Sequence, residues 1–281
     1  MSDERKEGSG IKRALRFARE FTALYWNKRL TRASAALSYF LTMTLFPLLI
    51  ILYTLLGNSY GKAMRILDFA KNFIAADSAR TIEEFLRYVA ANNSSAMMVA
   101  ALIVLVTSAS AAVRSLQATI GEMQGGQRFQ GLTGFVFSII LSLLFSAALY
   151  FAVLVMLTGR EFIQWLNGVL PFVDISDSWN TLRFLVLSGI DFVILWAIYE
   201  ISKRRSDAYP TALGALLATA AMVGVSIVFS VVIGASAQYP LVYGSLASVI
   251  LLMFWLYTVC LVIYGGAAVN IALRNVREPE E

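Results

Sequence analysis

The sequence has no histidine and a single cysteine among its 281 residues. The absence of histidine removes the side chain most often used for metal binding and for acid–base chemistry near neutral pH. It therefore excludes Ser-His-Asp and Cys-His catalysis and a zinc centre built on histidines. Because Cys260 is alone, the chain cannot form an internal disulfide. We expect no metal, no cofactor and no enzymatic activity.

Charged residues are also scarce. They make up 15% of the chain, whereas hydrophobic residues make up 58%. A soluble domain carries about 25% charged residues, so this composition predicts a membrane protein. The net charge of +5 lies in short segments between apolar runs, which is typical of membrane topology rather than of nucleic-acid binding. We expect no nucleic-acid partner.

Long apolar runs are what the chain has in abundance. A spanning helix needs about 20 consecutive, mostly apolar residues. Six runs meet this requirement, at residues 34–56, 95–116, 132–158, 182–201, 211–235 and 245–272. The sequence therefore predicts an all-α membrane protein in which residues 34–274 form a domain of six transmembrane helices.

An even number of spans places both termini on the same side of the membrane. The basic tail of residues 1–33, the short tail of residues 275–281 and the run of basic residues 203–205 then share that side. The last loop on the opposite side, residues 236–244, carries no charge. Because Lys and Arg are enriched in cytoplasmic loops, we predict that both termini are cytoplasmic.

Two further regions have the periodicity of amphipathic helices. Between residues 11 and 30, apolar side chains recur every three or four positions with basic residues between them, which predicts an interfacial helix. The loop of residues 58–94 repeats the pattern twice, and Thr81 and Glu84 have the spacing of a capping box for its second helix. We expect this loop to form a small helical extracytoplasmic cap.

A carboxylate lies in the middle of the fourth predicted span. At about 1.5 Å per residue, Asp191 lies about 12 Å from Arg183 and about 18 Å from Lys203, which mark the ends of the span. An ionised Asp at that depth costs at least about 3 kcal/mol on insertion scales. Two interpretations stay open: a neutral Asp that hydrogen-bonds to a neighbouring helix, or a group that exchanges a proton or binds substrate in a polar cavity.

Arg114, within the second span, is the natural candidate partner for Asp191. It either extends to the headgroups at the cytoplasmic end of the span or lines a cavity. Ser108, Ser115 and Thr119, together with an alanine, recur at three- or four-residue spacing and form one stripe on the helix. Such a stripe either allows two helices to approach closely or lines a cavity.

The first span carries two more candidates for a cavity wall. Pro47 removes a backbone hydrogen bond and bends or loosens the helix, and Tyr39 lies about two turns before it. A simple packing kink is the alternative interpretation of Pro47.

Two stretches of the chain resemble signatures of the YihY/BrkB family, a group of bacterial inner-membrane proteins once labelled ribonuclease BN. They are "AALSYFLTMTLFPLLIILYTLLG" at residues 35–57 and "YPLVYGSLASVILLMFWLYTVCLVIYGGAAVN" at residues 239–270. The second stretch departs from the family at Ala268, where the family commonly has glutamate. Its residues that match the family motif are Tyr243, Gly244, Ser245, Trp255, Gly266 and Asn270.

The resemblance implies a six-span protein of the bacterial inner membrane. Some relatives are linked to envelope lipid traffic, which implies transport or flipping of an amphiphilic, lipid-linked or small anionic molecule. Our hypothesis is that Arg114 attracts an anionic headgroup and Asp191 exchanges a proton in a hydrated pocket. The alternative is a non-transporting scaffold for envelope or division machinery, whereas the ribonuclease label fits poorly with a chain without histidine.

The expected partners follow from the same hypothesis. They are membrane lipids, with anionic headgroups at the cytoplasmic face next to the basic N-terminal helix. A second copy of the chain or an envelope protein is a further possible partner.

Overall fold

The computed structural model describes residues 2–56, 59–71, 76–92, 94–126, 132, 134–144, 146–147, 179–203, 209–234 and 245–277. Every regular element in these ranges is an α-helix, which confirms the predicted all-α fold. Numbered in chain order, the helices are α1 Ser2–Asn27, α2 Leu30–Leu55, α3 Tyr60–Ala70, α4 Ala76–Asn92, α5 Ser95–Met123, α6 Gly134–Leu144, α7 Trp179–Ser202, α8 Ala212–Gly234 and α9 Ser245–Arg277.

Five of these helices, α2, α5, α7, α8 and α9, are long and apolar enough to cross a membrane. They correspond to the first, second, fourth, fifth and sixth predicted spans. The third predicted span, residues 132–158, is represented by the shorter apolar helix α6, and its residues from 148 onward lie outside the described ranges. Within those ranges, the predicted six spans are therefore five long helices and one short one.

The helix ends show how local sequence shapes the bundle. The hydroxyl of Ser94 accepts a hydrogen bond from the N–H of Met97 (3.2 Å) and caps the start of α5. Arg29, between α1 and α2, adopts the left-handed conformation with φ 50°, which is uncommon for a residue other than glycine. This conformation ends α1 and lets α2 begin at the next residue, so the two helices form separate elements.

The spanning helices pack around α2 and α9. Helix α2 contacts α5 and α9, α9 also contacts α1 and α8, and α7 contacts α8. The cap, defined here as α3 and α4, contacts α2, and α4 also contacts α9. We call this end of the bundle the cap side, and the end with α1 and the last turns of α9 the terminal side. One cluster of buried apolar side chains fills the bundle around Leu116 and Tyr264, and another lies beneath the cap around Leu67 and Leu86.

Helix α1 is amphipathic, and its apolar side chains contact the bundle. Phe21 and Leu24 pack against the main cluster of buried residues. The side-chain amide of Asn275, near the end of α9, donates a hydrogen bond to Glu20 on α1 (3.1 Å). The predicted amphipathic helix is therefore attached to the protein core, and its interfacial position stays a prediction.

The cap consists of two helices, but the predicted capping box does not start the second one. Helix α4 begins at Ala76, five residues before Thr81. Apolar side chains such as Ile82 and Leu86 face the bundle and are buried. The apolar periodicity therefore located the helix, whereas the capping motif placed its start too late in the chain.

Exposed polar pairs link residues within the cap. Lys71 Nζ donates a hydrogen bond to Asp68 (2.7 Å), and this bond raises the pKa of Lys71. Arg87 donates to the hydroxyl of Tyr60 (3.1 Å) and to Glu83 (2.8 Å), and these bonds raise the pKa of Arg87. Such exposed pairs contribute little stability, but the bond from Arg87 to Tyr60 joins α4 to α3.

Candidate functional site

The end of the Tyr239-to-Asn270 motif contacts the start of α8. The side chain of Asn270 accepts a hydrogen bond from the N–H of Gly214 (2.8 Å) and donates one to the C=O of Thr211 (2.9 Å). Asn270 is 1% exposed, so both bonds are shielded from solvent. The first N–H groups of a helix have no partner within that helix, and here a side chain of α9 supplies one acceptor. We call this contact the α8–α9 joint.

Two glycines allow the helices of the α8–α9 joint to approach closely. A Cβ atom on Gly266 would lie 2.6 Å from the Tyr199 hydroxyl, 2.7 Å from the carbonyl oxygen of Gly214 and 2.8 Å from the Cβ of Ala218. A Cβ atom on Gly214 would meet the carbonyl oxygen of Gly266 and the side-chain amide of Asn270. Gly266 and Asn270 therefore pack α9 against α8.

Asn270→Ala should destabilise the protein by about 2–4 kcal/mol, because two buried backbone groups lose their hydrogen-bond partner. We expect the melting temperature in detergent to fall by roughly 5 °C or more. The matched control is Asn92→Ala at the exposed end of α4, which should stay within about 0.5 kcal/mol of the parent protein. Equal shifts for the two variants would contradict the stabilising role of the joint.

Arg114 lies in a polar cluster between α5 and α6. Its Nη1 atom donates to the hydroxyl of Ser110 (3.0 Å) and to that of Ser138 (3.3 Å). The two hydroxyl groups are themselves 3.0 Å apart and hydrogen-bonded, and the ring centre of Phe135 lies 5.2 Å from the guanidinium carbon. Arg114 forms no ion pair with a carboxylate in the described ranges of the chain.

The direction of the Arg114 side chain disagrees with one interpretation of this residue, the extension to the headgroups. Ser110 lies one turn before Arg114, so the guanidinium points back along α5 toward the cap side, away from the terminal side. The side chain is therefore held inside the bundle and does not extend to the headgroups. Its partner Ser138 was not apparent from the sequence, although Ser138, Ser142 and Ser146 share a four-residue spacing that places them on one helical face.

The predicted polar stripe of α5 packs against two other helices. The hydroxyl of Thr44 on α2 donates to that of Ser108 (3.1 Å). The hydroxyl of Tyr264 on α9 donates to the C=O of Ser115 (3.4 Å), which also accepts a hydrogen bond from Thr119 (3.1 Å). The stripe therefore contacts α2 through the Ser108 hydroxyl and α9 through the backbone of Ser115.

Asp191 lies on α7 and faces α8. Its carboxyl group lies near the side chain of Thr219. The Thr219 hydroxyl makes no well-aligned hydrogen bond with any of the residues described. Asp191 also interacts electrostatically with Tyr199. The Tyr199 hydroxyl donates a hydrogen bond to the C=O of Ile263 (2.6 Å). Arg114 and Asp191 form no ion pair with each other, because one faces α6 and the other faces α8.

A cavity of about 280 Å³ lies between α2, α5, α6 and α7, and Ile263 of α9 also lines it. The described residues that line it are apolar apart from the hydroxyl groups of Thr44 and Ser142. The described residues of α5 and α7 thus border a space suited to hydrocarbon, and the hydrated pocket at Arg114 and Asp191 stays a hypothesis. The predicted cavity-lining candidates lie outside its walls: Arg114, Asp191, Ser108, Ser115, Thr119, Tyr39 and Pro47.

The two candidates of the first span have different surroundings. Tyr39 is 50% exposed on the outer surface of α2, whereas Pro47 is buried inside that helix. Helix α2 continues past Pro47 to Leu55, so this proline does not end the helix.

The other motif residues of α9 lie toward the cap side. Ser245 is the first residue of the helix, and Trp255 lines a second cavity beneath the cap. Tyr243 and Gly244 lie outside the described ranges. The motif thus spans α9 from its first residue to the α8–α9 joint.

A family model described as "Virulence factor BrkB" matches residues 21–281. The chain belongs to the BrkB family. This match covers both stretches that resemble the YihY/BrkB signatures, and it confirms the resemblance. The chain is also similar to "Putative ribonuclease-like protein YfkH" of Bacillus subtilis (strain 168), with 24% identity over 272 residues that cover 94% of this chain and 98% of that protein. No solved structure matches the chain.

Membership of the BrkB family and the five long apolar helices identify a multi-pass membrane protein. Ala268, at the position where the resemblance implies glutamate, is fully buried in the apolar cluster of the bundle together with Ala267 and Ile271. A carboxylate there would need a buried partner. In this BrkB-family protein, Gly266 and Asn270 therefore make the joint without an acid beside them.

Proposed function

We propose that this BrkB-family protein moves an anionic amphiphilic or lipid-linked molecule across or within the membrane. Arg114 carries the proposal, because its positive charge lies within the bundle on two hydroxyl groups and an aromatic ring, without a carboxylate partner in the described residues. Charged residues inside a membrane domain are unfavourable unless compensated, and they mark substrate or ion pathways. A phosphate or carboxylate headgroup has the charge and geometry that a guanidinium binds well.

The apolar cavity supports the proposal because it borders the Arg114 cluster. Ser142 lines the cavity one turn after Ser138, and Val113 lines it next to Arg114 in the chain. The volume of about 280 Å³ lies just below the range of about 300–1,000 Å³ that is typical of small-molecule sites. A hydrocarbon chain in the cavity would bring the attached headgroup close to the guanidinium.

Asp191 has the proton-exchanging role in this proposal. Ile194 and Ile198, one and two turns further along α7, line the cavity, whereas Asp191 faces Thr219 on α8. A protonated carboxyl can donate a hydrogen bond to Thr219, and an ionised one can only accept. A change of protonation would therefore alter the α7–α8 contact beside the cavity.

The test is translocation of a fluorescent phosphatidylglycerol in liposomes. The full-length protein should raise the rate above that of protein-free liposomes, and Asp191→Asn should lower it by about tenfold or more, since asparagine cannot exchange a proton. Asp68→Asn, at an exposed position of the cap, is the control with the same chemical change and should keep the parent rate.

The translocation rates test the proton role of Asp191 separately from the transport function. A parent rate for Asp191→Asn would exclude the proton role, because the carboxyl would then be dispensable. If the parent protein moved neither anionic nor neutral lipid, the transport proposal would fail and the scaffold alternative would be preferred.

We also propose a bacterial inner membrane as the location, with both termini in the cytoplasm. Helix α1 exposes the basic residues Lys12, Arg13 and Arg16, and Trp26 next to its end is 72% exposed. Basic residues near a membrane attract anionic headgroups, and tryptophan favours the interface. The proposed function is not enzymatic: the name of YfkH refers to a ribonuclease, but this chain has no histidine for acid–base chemistry.

A further inference from the structure

A second cavity, of about 230 Å³, lies between the cap and the bundle, with walls from α2, α3, α4 and α9. We propose that this space, the cap cavity, binds one acyl chain of a membrane lipid or fatty acid, with the chain against the ring of Trp255. The site is distinct from the Arg114 cluster, and the inference does not rest on the proposed transport function.

The lining of the cap cavity favours hydrocarbon over water. All of its wall residues are aliphatic except Tyr53 and Trp255. A buried water molecule needs about two to four polar partners, and apolar cavities with fewer remain dry and accept apolar ligands. Two aromatic side chains supply too few polar atoms for a water cluster, so the physical match is a hydrocarbon chain.

Trp255 supplies an aromatic wall to this apolar site. Its indole Nε1 is buried and has no hydrogen-bond acceptor in the described part of the chain. Because this nitrogen is not accessible from the cavity, a ligand there contacts the carbon atoms of the ring. The expected contact is therefore between hydrocarbon and the indole ring.

The position of the cap cavity gives it access to the bilayer. Leu55, next to the lining residue Leu56, is 54% exposed, and Phe254, next to Trp255, is 56% exposed. These large apolar side chains lie on the outer surface of spanning helices at the cap side. A lipid chain can thus reach the cavity from the surrounding hydrocarbon without passing through water.

Fluorescence of Trp255 can test the proposal directly. The other four tryptophans are replaced by phenylalanine, and the full-length protein is placed in nanodiscs of phosphatidylglycerol with brominated acyl chains, because bromine quenches an indole on contact. We expect the loss of most of the Trp255 emission. The replaced residues are Trp26, Trp165, Trp179 and Trp196.

Two variants that fill the cavity separate bound lipid from bulk lipid. Ala63→Leu and Leu67→Phe add volume from α3, where both residues are buried in the cavity wall, and each should restore the Trp255 emission. The matched control retains only Trp196, which is 44% exposed on α7. Its quenching should be the same with and without the filling substitutions, which shows that the protein remains folded in lipid.

A second probe identifies the source of the acyl chain. Dibromostearic acid, added to nanodiscs of unbrominated lipid, reports a free fatty acid. Quenching by brominated phospholipid or by the acid that the filling variants reverse supports the site. Absence of quenching by both, or quenching that neither filling variant changes, overturns it.

Discussion

Gly266→Ala is expected to destabilise the protein at the α8–α9 joint. The new Cβ would lie 2.6–2.8 Å from the Tyr199 hydroxyl, the carbonyl oxygen of Gly214 and the Cβ of Ala218. Overpacking a close-packed site costs about 1–3 kcal/mol, and a helix shift would also strain the two hydrogen bonds of Asn270. We therefore expect a loss of roughly 3 kcal/mol or more and a fall in melting temperature of several degrees.

The neighbouring glycine offers a control on the same helix. A Cβ atom on Gly265 would have no atom within 4 Å. Because alanine is favoured over glycine in a helix by about 1 kcal/mol, Gly265→Ala should leave the melting temperature in detergent unchanged or raise it. If Gly266→Ala were as stable as Gly265→Ala, the close approach of α8 and α9 would not be needed for stability.

The helices could be predicted from the sequence because the membrane restricts the backbone. In hydrocarbon every backbone N–H and C=O needs a partner, so a long apolar run has to form a helix. This reasoning located α2, α5, α7, α8 and α9. It was less successful with helix ends, because hydrogen bonding continues beyond the apolar run: α5 extends to Met123, past the predicted end at residue 116. Hydrophobicity predicts the part of a helix that lies in hydrocarbon, and not its full length.

The surroundings of the candidate residues could not be predicted in the same way. Periodicity shows which residues share a helical face, but it does not show which helix that face contacts. Arg114 was expected to meet Asp191 or the headgroups, and the structure gives it Ser138 on α6 and the ring of Phe135 instead. The apolar cavity likewise arises where five helices do not fill the space between them, and no local sequence pattern encodes this.

The family motif identified residues of structural importance without predicting their contacts. Gly266 and Asn270 were identified as motif residues by resemblance, but their spacing carried no information on their partners. Only the tertiary structure shows that Asn270 binds Thr211 and Gly214 at the start of α8. The spacing of four residues does explain why both motif residues face α8, since positions four apart lie on one face of a helix.

Arg114→Gln should lower the translocation of anionic lipid by about tenfold or more, because a hydrogen bond to a charged group contributes about 1.5–3 kcal/mol. Glutamine retains donors for Ser110 and Ser138, so the polar cluster can persist without its charge. Translocation of a neutral lipid should change little. Since burying a charge without a partner of opposite charge is unfavourable, we expect the melting temperature to stay the same or rise.

Two further variants make this prediction specific to the charge and its position. Arg114→Lys keeps the charge but loses the planar, two-pronged geometry of the guanidinium, so anionic translocation should be intermediate. Arg65→Gln removes a positive charge from an exposed position of α3 and should retain the parent rate and selectivity. An equal loss of anionic and neutral translocation in Arg114→Gln would mean that Arg114 positions helices rather than attracting a headgroup. An unchanged anionic rate would remove the observation on which the transport proposal depends.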